Sequence, residues 1–182
     1  MHLKSEVIIE ELNQENLEGI VSYWTKSDAN YLTSLGVDLN KLPSANNLRA
    51  MLLDQVNKSD DQRQSMAFIA KTDDVAFGHC NVNEIVYGKH AKLHLHIWSS
   101  FHRKKNLGTE MVRKCIPCFF SRLKLEKLYC EPYAENLAPN KTLIKLGFNF
   151  IEQYTGVPGS ICFEQLVNKY CLNKEDFLSE SN

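Results

Sequence analysis

Three cations stand together at a point where one predicted element gives way to the next. Arg103, Lys104 and Lys105 follow a strand-like stretch that ends at Trp98, and a helix-like stretch starts near Leu107. The amino end of a helix presents unpaired backbone N–H groups and the positive end of the helix dipole. Together with the cations, it can hold a pyrophosphate group. A solvated basic loop explains the same residues, and the segment alone favours neither interpretation.

Two neighbours of these cations suit a ligand-binding turn because of their backbone properties. Gly108 has no side chain, so the backbone there can come close to a ligand. Asn106 tolerates the left-handed conformation that glycine often supplies in such turns. Strand-to-helix turns are also where α/β folds place phosphate groups. The position therefore strengthens the phosphate-binding interpretation without excluding the solvated loop.

The strand-like stretch before the turn carries two histidines on one face. Residues 91–98 alternate, with His94 and His96 on one side and leucine and isoleucine on the other. Histidine suits a general base at neutral pH because its ordinary pKa is about 6.5. Glu131, at the end of a later strand, is a third candidate base, and Glu84 is a weaker fourth.

Two other roles compete for these histidines. Hydrogen bonding across the sheet is the commoner role for a histidine on a strand. A facial metal cluster with His79 or His90 is a further possibility, but no nearby aspartate or cysteine completes an obvious ligand set. We expect no metal.

Composition excludes several classes of protein. The chain has 182 residues, with 43% hydrophobic and 24% charged residues and a formal net charge of −1. These values predict a single domain over residues 1–182, with no nucleic-acid or membrane partner. The amino-terminal residues show no signal-peptide pattern, so we expect a cytoplasmic protein. The six cysteines are expected to be free thiols, including the C-x-x-C pair Cys115 and Cys118, which falls mid-helix.

Periodicity predicts seven strands and four helices. The predicted strands are 7–10, 65–71, 75–82, 91–98, 127–131, 148–154 and 160–167, and the predicted helices are 14–25, 44–58, 107–123 and 134–146. This order indicates an α/β layer fold with one mostly antiparallel sheet. One strand pair must be parallel, because a helix links strand 91–98 to strand 127–131.

A second motif makes the basic turn specific. Asn136 begins a stretch in which Leu143, Lys145 and Gly147-Phe148 follow at fixed spacing, one helix after the turn. The two linked motifs resemble those of the GNAT acetyltransferases, and most closely their RimJ/RimL-like branch. The resemblance implies the GNAT fold: a mixed sheet of about six to seven strands flanked by about four helices. It also implies that the parallel strand pair splays apart where coenzyme A binds.

The resemblance further implies an N-acetyltransferase that uses acetyl-CoA and acetylates a primary amine, on a protein N-terminus or a small molecule. The turn would cradle the pyrophosphate through backbone amides, and the strand before it would pair with the pantetheine arm. The implied cofactor contacts are Ile97, Trp98, Ser99, Arg103, Lys104, Lys105, Asn106, Leu107, Gly108, Thr109, Asn136 and Asn140. Members of the family occur as monomers or homodimers.

The implied catalytic residues are His94, His96, Glu131 and Asn136. Two departures from the family pattern concern the general acid, because Pro139 and Leu143 occupy the positions where serine or tyrosine serves that role. Asn140, Thr142 or a water molecule could replace it.

These departures also raise an alternative, a CoA-binding or sensing domain with impaired catalysis. For the acceptor, the resemblance implies two walls, on which Tyr31 and Tyr154 offer polar groups.

Overall fold

The computed structural model describes residues 6–103 and 106–180. The strands are β1 (Ile8–Glu11), β2 (Ser65–Thr72), β3 (Val75–Val86), β4 (His90–Ile97), β5 (Lys127–Cys130), β6 (Asn149–Gly156) and β7 (Gln165–Asn173). The α-helices are α1 (Glu18–Lys26), α2 (Ala29–Ser34), α3 (Ala45–Val56), α4 (Leu107–Arg122), α5 (Leu137–Lys145) and α6 (Lys174–Glu180). The predicted fold class, with its single mixed sheet, is confirmed.

The strands form one sheet in the order β1-β2-β3-β4-β5-β7-β6. Every neighbouring pair is antiparallel except β4 and β5, which are joined through α4 and run parallel. Their pairing covers His90 to Lys92 on β4 and Lys127 to Tyr129 on β5, and stops there. Beyond Lys92 the two strands have no further ladder contacts within the described residues. The centre of the sheet is therefore open toward the end of β4.

The two faces of the sheet pack against different helices. On one face, α4 places Met111, Ile116 and Phe119 against Phe77 and Leu93, all of which are fully buried. On the other face, α1 and α3 cover β2 with a second apolar cluster that includes Ile20, Val21, Leu48 and Ile69. Helix α4 continues through Pro117 to Arg122, close to the predicted range of 107–123. All six cysteines are free.

The last strand lies later in the chain than predicted. Residues 160–163 form a loop held by the segment before α3, since Asp38 N–H donates to the Ile161 carbonyl and Phe163 N–H donates to the Gly36 carbonyl. Strand β7 starts only at Gln165, where it can pair with both β5 and β6. Its lysine and asparagine residues masked the strand in the sequence.

Two short helices are additional to the four that periodicity predicts. Helix α2 lies where a loop was expected, and it begins because the Asp28 side chain accepts a hydrogen bond from Tyr31 N–H at 2.9 Å. Helix α6 follows β7 directly. Each is shorter than two full turns of amphipathic pattern, so neither leaves a clear periodic signal.

Candidate active site

The open edge of β4 exposes backbone groups in an alternating pattern. Trp98 N–H donates to the Phe77 carbonyl at 2.8 Å, so Trp98 directs its backbone groups at β3. In an antiparallel ladder this direction alternates, so Leu95 and Ile97 direct theirs to the opposite side. On that side β5 has already ended its pairing. Leu95 and the N–H group of Ile97 therefore lie on a strand edge that β5 does not cover.

This arrangement corrects the prediction that the Trp98 backbone belongs to the ligand-binding edge. Its N–H is bonded to β3, and its side chain is held on the other side of the sheet. Trp98 Nε1–H donates to His79 Nδ1 at 2.7 Å. Its ring also lies against Gly19 of α1, where an added Cβ would meet the indole at 2.2 Å. Trp98 thus ties β4 to α1, and Ile97 remains the edge residue.

The amino end of α4 points unpaired N–H groups toward the same opening. Asn106 has φ 60°, the left-handed conformation that its residue type predicts. The first intrahelical bond runs from Glu110 N–H to the Asn106 carbonyl, which leaves the N–H groups of residues 107–109 without a helical acceptor. Lys104 and Lys105 lie outside the described residues.

Gly108 is not required by its protein neighbours. A Cβ added there would meet Ile97 Cδ1 at 3.6 Å, which is an ordinary contact. Glycine at this position adds no side chain beside the unpaired N–H groups of the first turn. Leu107 is partly buried and Thr109 is buried, so both anchor the first turn of α4.

Arg103 turns toward the other side of the opening. Its guanidinium carbon lies 3.9 Å from the centre of the Tyr31 ring, a cation–π contact. Arg103 Nη2 and the Tyr31 hydroxyl each donate to the Ile97 carbonyl at 3.4 Å. Buried Arg103 Nε has no hydrogen-bond partner within the described residues. Ser99, also expected near the ligand, instead accepts from Phe101 N–H through Oγ at 3.2 Å.

The two asparagines of α5 have different surroundings. The Asn140 amide donates to the carbonyls of Tyr133 and Asn136, and its oxygen accepts from Asn168 and Tyr170. Its hydrogen-bonding capacity is fully used, so Asn140 braces the start of α5 against β7 rather than offering a group to a ligand. The Asn136 side chain lines the cavity described next.

A cavity of about 370 Å³ connects the opening with the face covered by α1 and α3. Its wall near the opening includes Leu95, Glu131 and Asn136. Its far wall is formed by apolar side chains of α1 and α3, among them Trp24 and Leu52. The volume is at the lower end of the range for small-molecule sites. Tyr31 and Tyr154, expected on the acceptor walls, are not among the lining residues.

Three histidines and two asparagines form a polar ladder on the cavity side of β3 and β4. Cross-strand pairs place His79 opposite His96 and Asn81 opposite His94, and all four line the cavity. His94 Nε2–H donates to Asn83 Oδ1 at 2.9 Å, so His94 Nδ1 keeps its lone pair. The Tyr23 hydroxyl lies 3.2 Å from His96 Nδ1.

Burial keeps these histidines neutral at pH 7. It lowers the pKa of His79 to about 3 and that of His94 to about 4. It also holds the pKa of His96 well below its usual range, with the neighbouring His79 and His94 adding to the effect. The predicted histidines are therefore brought together at the cavity, as hydrogen-bond acceptors rather than cations.

Glu131 is compensated by cations. Its carboxylate lies 2.8 Å from Lys92 Nζ and 3.9 Å from Lys169 Nζ. Burial opposes the charge on Lys92, but Glu131 and Glu84 outweigh it and raise the lysine pKa. Burial and the nearby Glu131 also raise the pKa of Tyr154. Tyr154 thus belongs to the Glu131 cluster behind the cavity.

Sequence reasoning missed Asn81 and Asn83 on β3, and it considered His79 only as a metal ligand. Asn81, Asn83 and His79 alternate with buried Cys80 and Val82, the same pattern as on β4. That alternation of polar and apolar residues was the available signal. Among the described residues, no group of three His, Cys, Asp or Glu side chains is placed to hold a metal ion.

No helix in the described part of the chain is long and apolar enough to cross a membrane.

The sequence matches a family model described as an acetyltransferase (GNAT) domain over residues 6–149. No curated protein matches it significantly.

Solved structures share the fold at low sequence identity. The spermidine N-acetyltransferase of Vibrio cholerae, in complex with CoA and spermine, is 16% identical with a TM-score of 0.77, covering 94% of this chain and 98% of that one. The ribosomal L7/L12 α-N-protein acetyltransferase RimL, in complex with coenzyme A, is 11% identical with a TM-score of 0.75, covering 93% and 95%. The microcin C7 self-immunity acetyltransferase MccE, in complex with acetyl-CoA and AMP, is 12% identical with a TM-score of 0.74, covering 93% of each chain.

Proposed function

Because the chain belongs to the GNAT acetyltransferase family, we propose that it transfers an acetyl group from acetyl-CoA directly to a primary amine. The acceptor amine is a protein N-terminus or a small molecule. All three structural neighbours described above are acetyltransferases and contain CoA or acetyl-CoA.

The observation that carries this proposal is the free edge of β4 beside the amino end of α4. The backbone of Leu95 and the N–H group of Ile97 offer hydrogen bonds to an extended amide chain, as a neighbouring strand would. The unpaired N–H groups at residues 107–109 suit a pyrophosphate. Gly108 has no side chain that would keep that group away from the backbone. The strand edge fits the half of coenzyme A that contains amides, and the helix end fits the half that contains phosphates. Acetyl-CoA supplies an activated thioester.

His94 is the proposed proton acceptor. Its Nδ1 lone pair is free for the amine because Nε2–H is committed to Asn83. Its low pKa keeps it neutral at working pH, so it can accept a hydrogen bond from the amine. The same low pKa makes it a weak base, and it takes the proton only as the new bond to carbon makes the nitrogen acidic. Glu131 suits this role less well, because Lys92 already compensates its charge. His96 lies beside the Tyr23 hydroxyl and helps to hold the polar side chains of β3 and β4 in place.

Direct transfer, without an acyl-enzyme, is supported by the state of the two cavity thiols. Cys130 and Cys162 line the cavity, but burial raises the pKa of Cys130 to about 12 and also raises that of Cys162. Both therefore remain protonated at neutral pH and are poor nucleophiles.

One observation favours a second candidate, a CoA-binding domain with impaired catalysis. Pro139 lines the cavity and Leu143 is fully buried, so neither offers a proton donor to the departing thiolate. A screen of amines and peptides with detection of the released thiol separates the candidates. Turnover on any acceptor removes the second candidate.

Calorimetry with acetyl-CoA and with CoA tests the cofactor site directly. We expect both ligands to bind the wild-type protein, because the N–H groups of residues 107–109 have no helical acceptor and suit the pyrophosphate. Absence of binding by the wild-type protein would refute the proposed function.

A further inference from the structure

The cavity is divided into a polar end and an apolar end. The polar end lies at the opening, where His94, Glu131 and Asn136 line the wall. The apolar end lies under the first and third helices, where Ile20, Trp24, Leu52 and Val56 line it. An acceptor that brings its amine to the open edge of β4 must place the rest of its skeleton along this apolar end.

The charged side chains that line the cavity are held in ion pairs. Among the described residues, Glu131 is the only acid that lines the cavity, and it lies at the polar end beside Lys92 and Lys169. Within the same part of the chain, the one lining residue with a permanent positive charge is Arg63, which is bonded to Glu11 at 2.6 Å. The described residues of the apolar end thus include no carboxylate that could pair with a second ammonium group on the acceptor.

An unpaired ammonium group at the apolar end is disfavoured, because it loses part of its hydration there without gaining a counter-ion. The reacting amine avoids this cost, since it must lose its proton before it attacks the thioester. A second amine on the acceptor gains nothing from deprotonation and remains charged near neutral pH. The cavity therefore favours acceptors that carry a single amine and a large apolar surface.

We infer that the acceptor is an apolar monoamine, whose single amine lies beside His94 and whose hydrocarbon body fills the space between α1 and α3. This inference rests on the proposed acetyl transfer and narrows its substrate class. A polyamine such as the spermine in the Vibrio cholerae structure carries several charges and does not meet this description. An apolar peptide N-terminus does meet it.

The direct test compares hexylamine with 1,6-diaminohexane, because the two differ only by a second amine. We expect kcat/KM for hexylamine to exceed that for the diamine by roughly tenfold or more. Equal values, or a preference for the diamine or for spermidine, overturn the inference while leaving acetyl transfer intact. A phenylalanyl peptide amide, measured beside hexylamine, distinguishes a peptide source from a small molecule.

A binding measurement keeps this test independent of turnover. With CoA already bound, calorimetry should detect hexylamine and give at least roughly tenfold weaker binding for the diamine. If neither amine binds to the CoA complex, the inference fails although the cofactor site stands. If CoA itself does not bind, the proposed function fails as well.

Met51 offers a variant that reverses the expected preference. It lines the cavity and is 59% exposed, so a polar side chain there should not disturb folding. Met51→Glu adds a carboxylate for the second ammonium, and Met51→Gln is its uncharged control. We expect the diamine-to-monoamine ratio of kcat/KM to be roughly fivefold higher in M51E than in M51Q. The same ratio in both variants overturns the assignment of this cavity to the acceptor.

Discussion

The two faces of β4 are built from opposite kinds of side chain. Leu93, Leu95 and Ile97 pack toward α4 in the main core, whereas His94 and His96 are hydrogen-bonded along the cavity. Burial is common to both faces, but its consequences differ. On the core face it stabilises the fold, and on the cavity face it depresses the pKa of histidines that hydrogen bonds then orient. Alternate residues of one strand can therefore serve different purposes, one set stabilising the fold and the other lining the site of the reaction.

The largest effect is expected from His94→Ala on the cavity face. Loss of the proposed proton acceptor should lower kcat by about 100-fold or more, with little change in the affinity for acetyl-CoA. His90→Ala is the matched control, since His90 begins the same strand and does not line the cavity. Full activity in H94A, measured by release of the CoA thiol, would show that the cavity face of β4 does not carry the proton transfer.

Leu93→Ala tests the core face next to it. Leu93 is completely buried, so truncation should lower the free energy of unfolding by about 2–5 kcal/mol. Urea unfolding measures the loss. At a temperature where the variant is folded, its kcat should stay within a few fold of the wild type. A variant that keeps its stability but loses activity would reverse the roles assigned to the two faces.

The pH dependence of stability provides a further test of the difference between the core face and the cavity face of β4. The pKa of His79 is about 3 in the folded protein and about 6.5 in the unfolded chain. Between these two pH values, His79 is protonated in the unfolded chain and neutral in the native protein. Stability should therefore be complete above pH 6.5 and decrease as the pH falls, by about 1.4 kcal/mol per pH unit for this histidine.

Unfolding at pH 6.5, 6 and 5 isolates the histidines, because carboxylates titrate mainly below this interval. His79→Gln should reduce the slope by about 1.4 kcal/mol per pH unit, while His94 and His96 continue to contribute. Leu93→Ala should lower stability equally at each pH. A wild-type slope close to zero would contradict the burial of neutral histidines on the cavity face.

The smallest effect is expected from Tyr23→Phe, which removes the hydroxyl group near His96 Nδ1. The loss of one hydrogen bond should cost about 0.5–1.5 kcal/mol, with kcat changed by only a few fold. A loss of activity comparable to that of H94A would move the proton acceptor from His94 to His96.

The elements around the cofactor edge were predictable because their patterns are local. Strict alternation marked β4, and helical periodicity marked α4. The left-handed Asn106 also followed from its residue type. The role of Trp98 did not, since only the register between β3 and β4 shows which backbone groups face the opening.

Contacts between distant segments account for the remaining differences. Asn140 was expected at the cofactor, but Asn168 and Tyr170 reach it from a strand that the sequence placed too early. Similarly, the neutral state of His94 depends on how deeply the assembled sheet and helices bury it. Neither property is encoded in the neighbouring residues, so local patterns do not reveal it.

Because β4 pairs with β5 over only a short stretch, a small rotation at this junction produces a larger displacement at the far end of β4. The two halves meet only over the stretch that ends at Lys92 and Tyr129, and Ile97 lies about 16 Å further along the strand. A rotation of about 5° at the junction would move that end by about 1.4 Å over this length, and a misplacement of about 1 Å can cost a reaction a factor of about 100. Helix α4 lies beneath both halves in one continuous core, so the stiffness of that core sets the accuracy with which the thioester and amine meet.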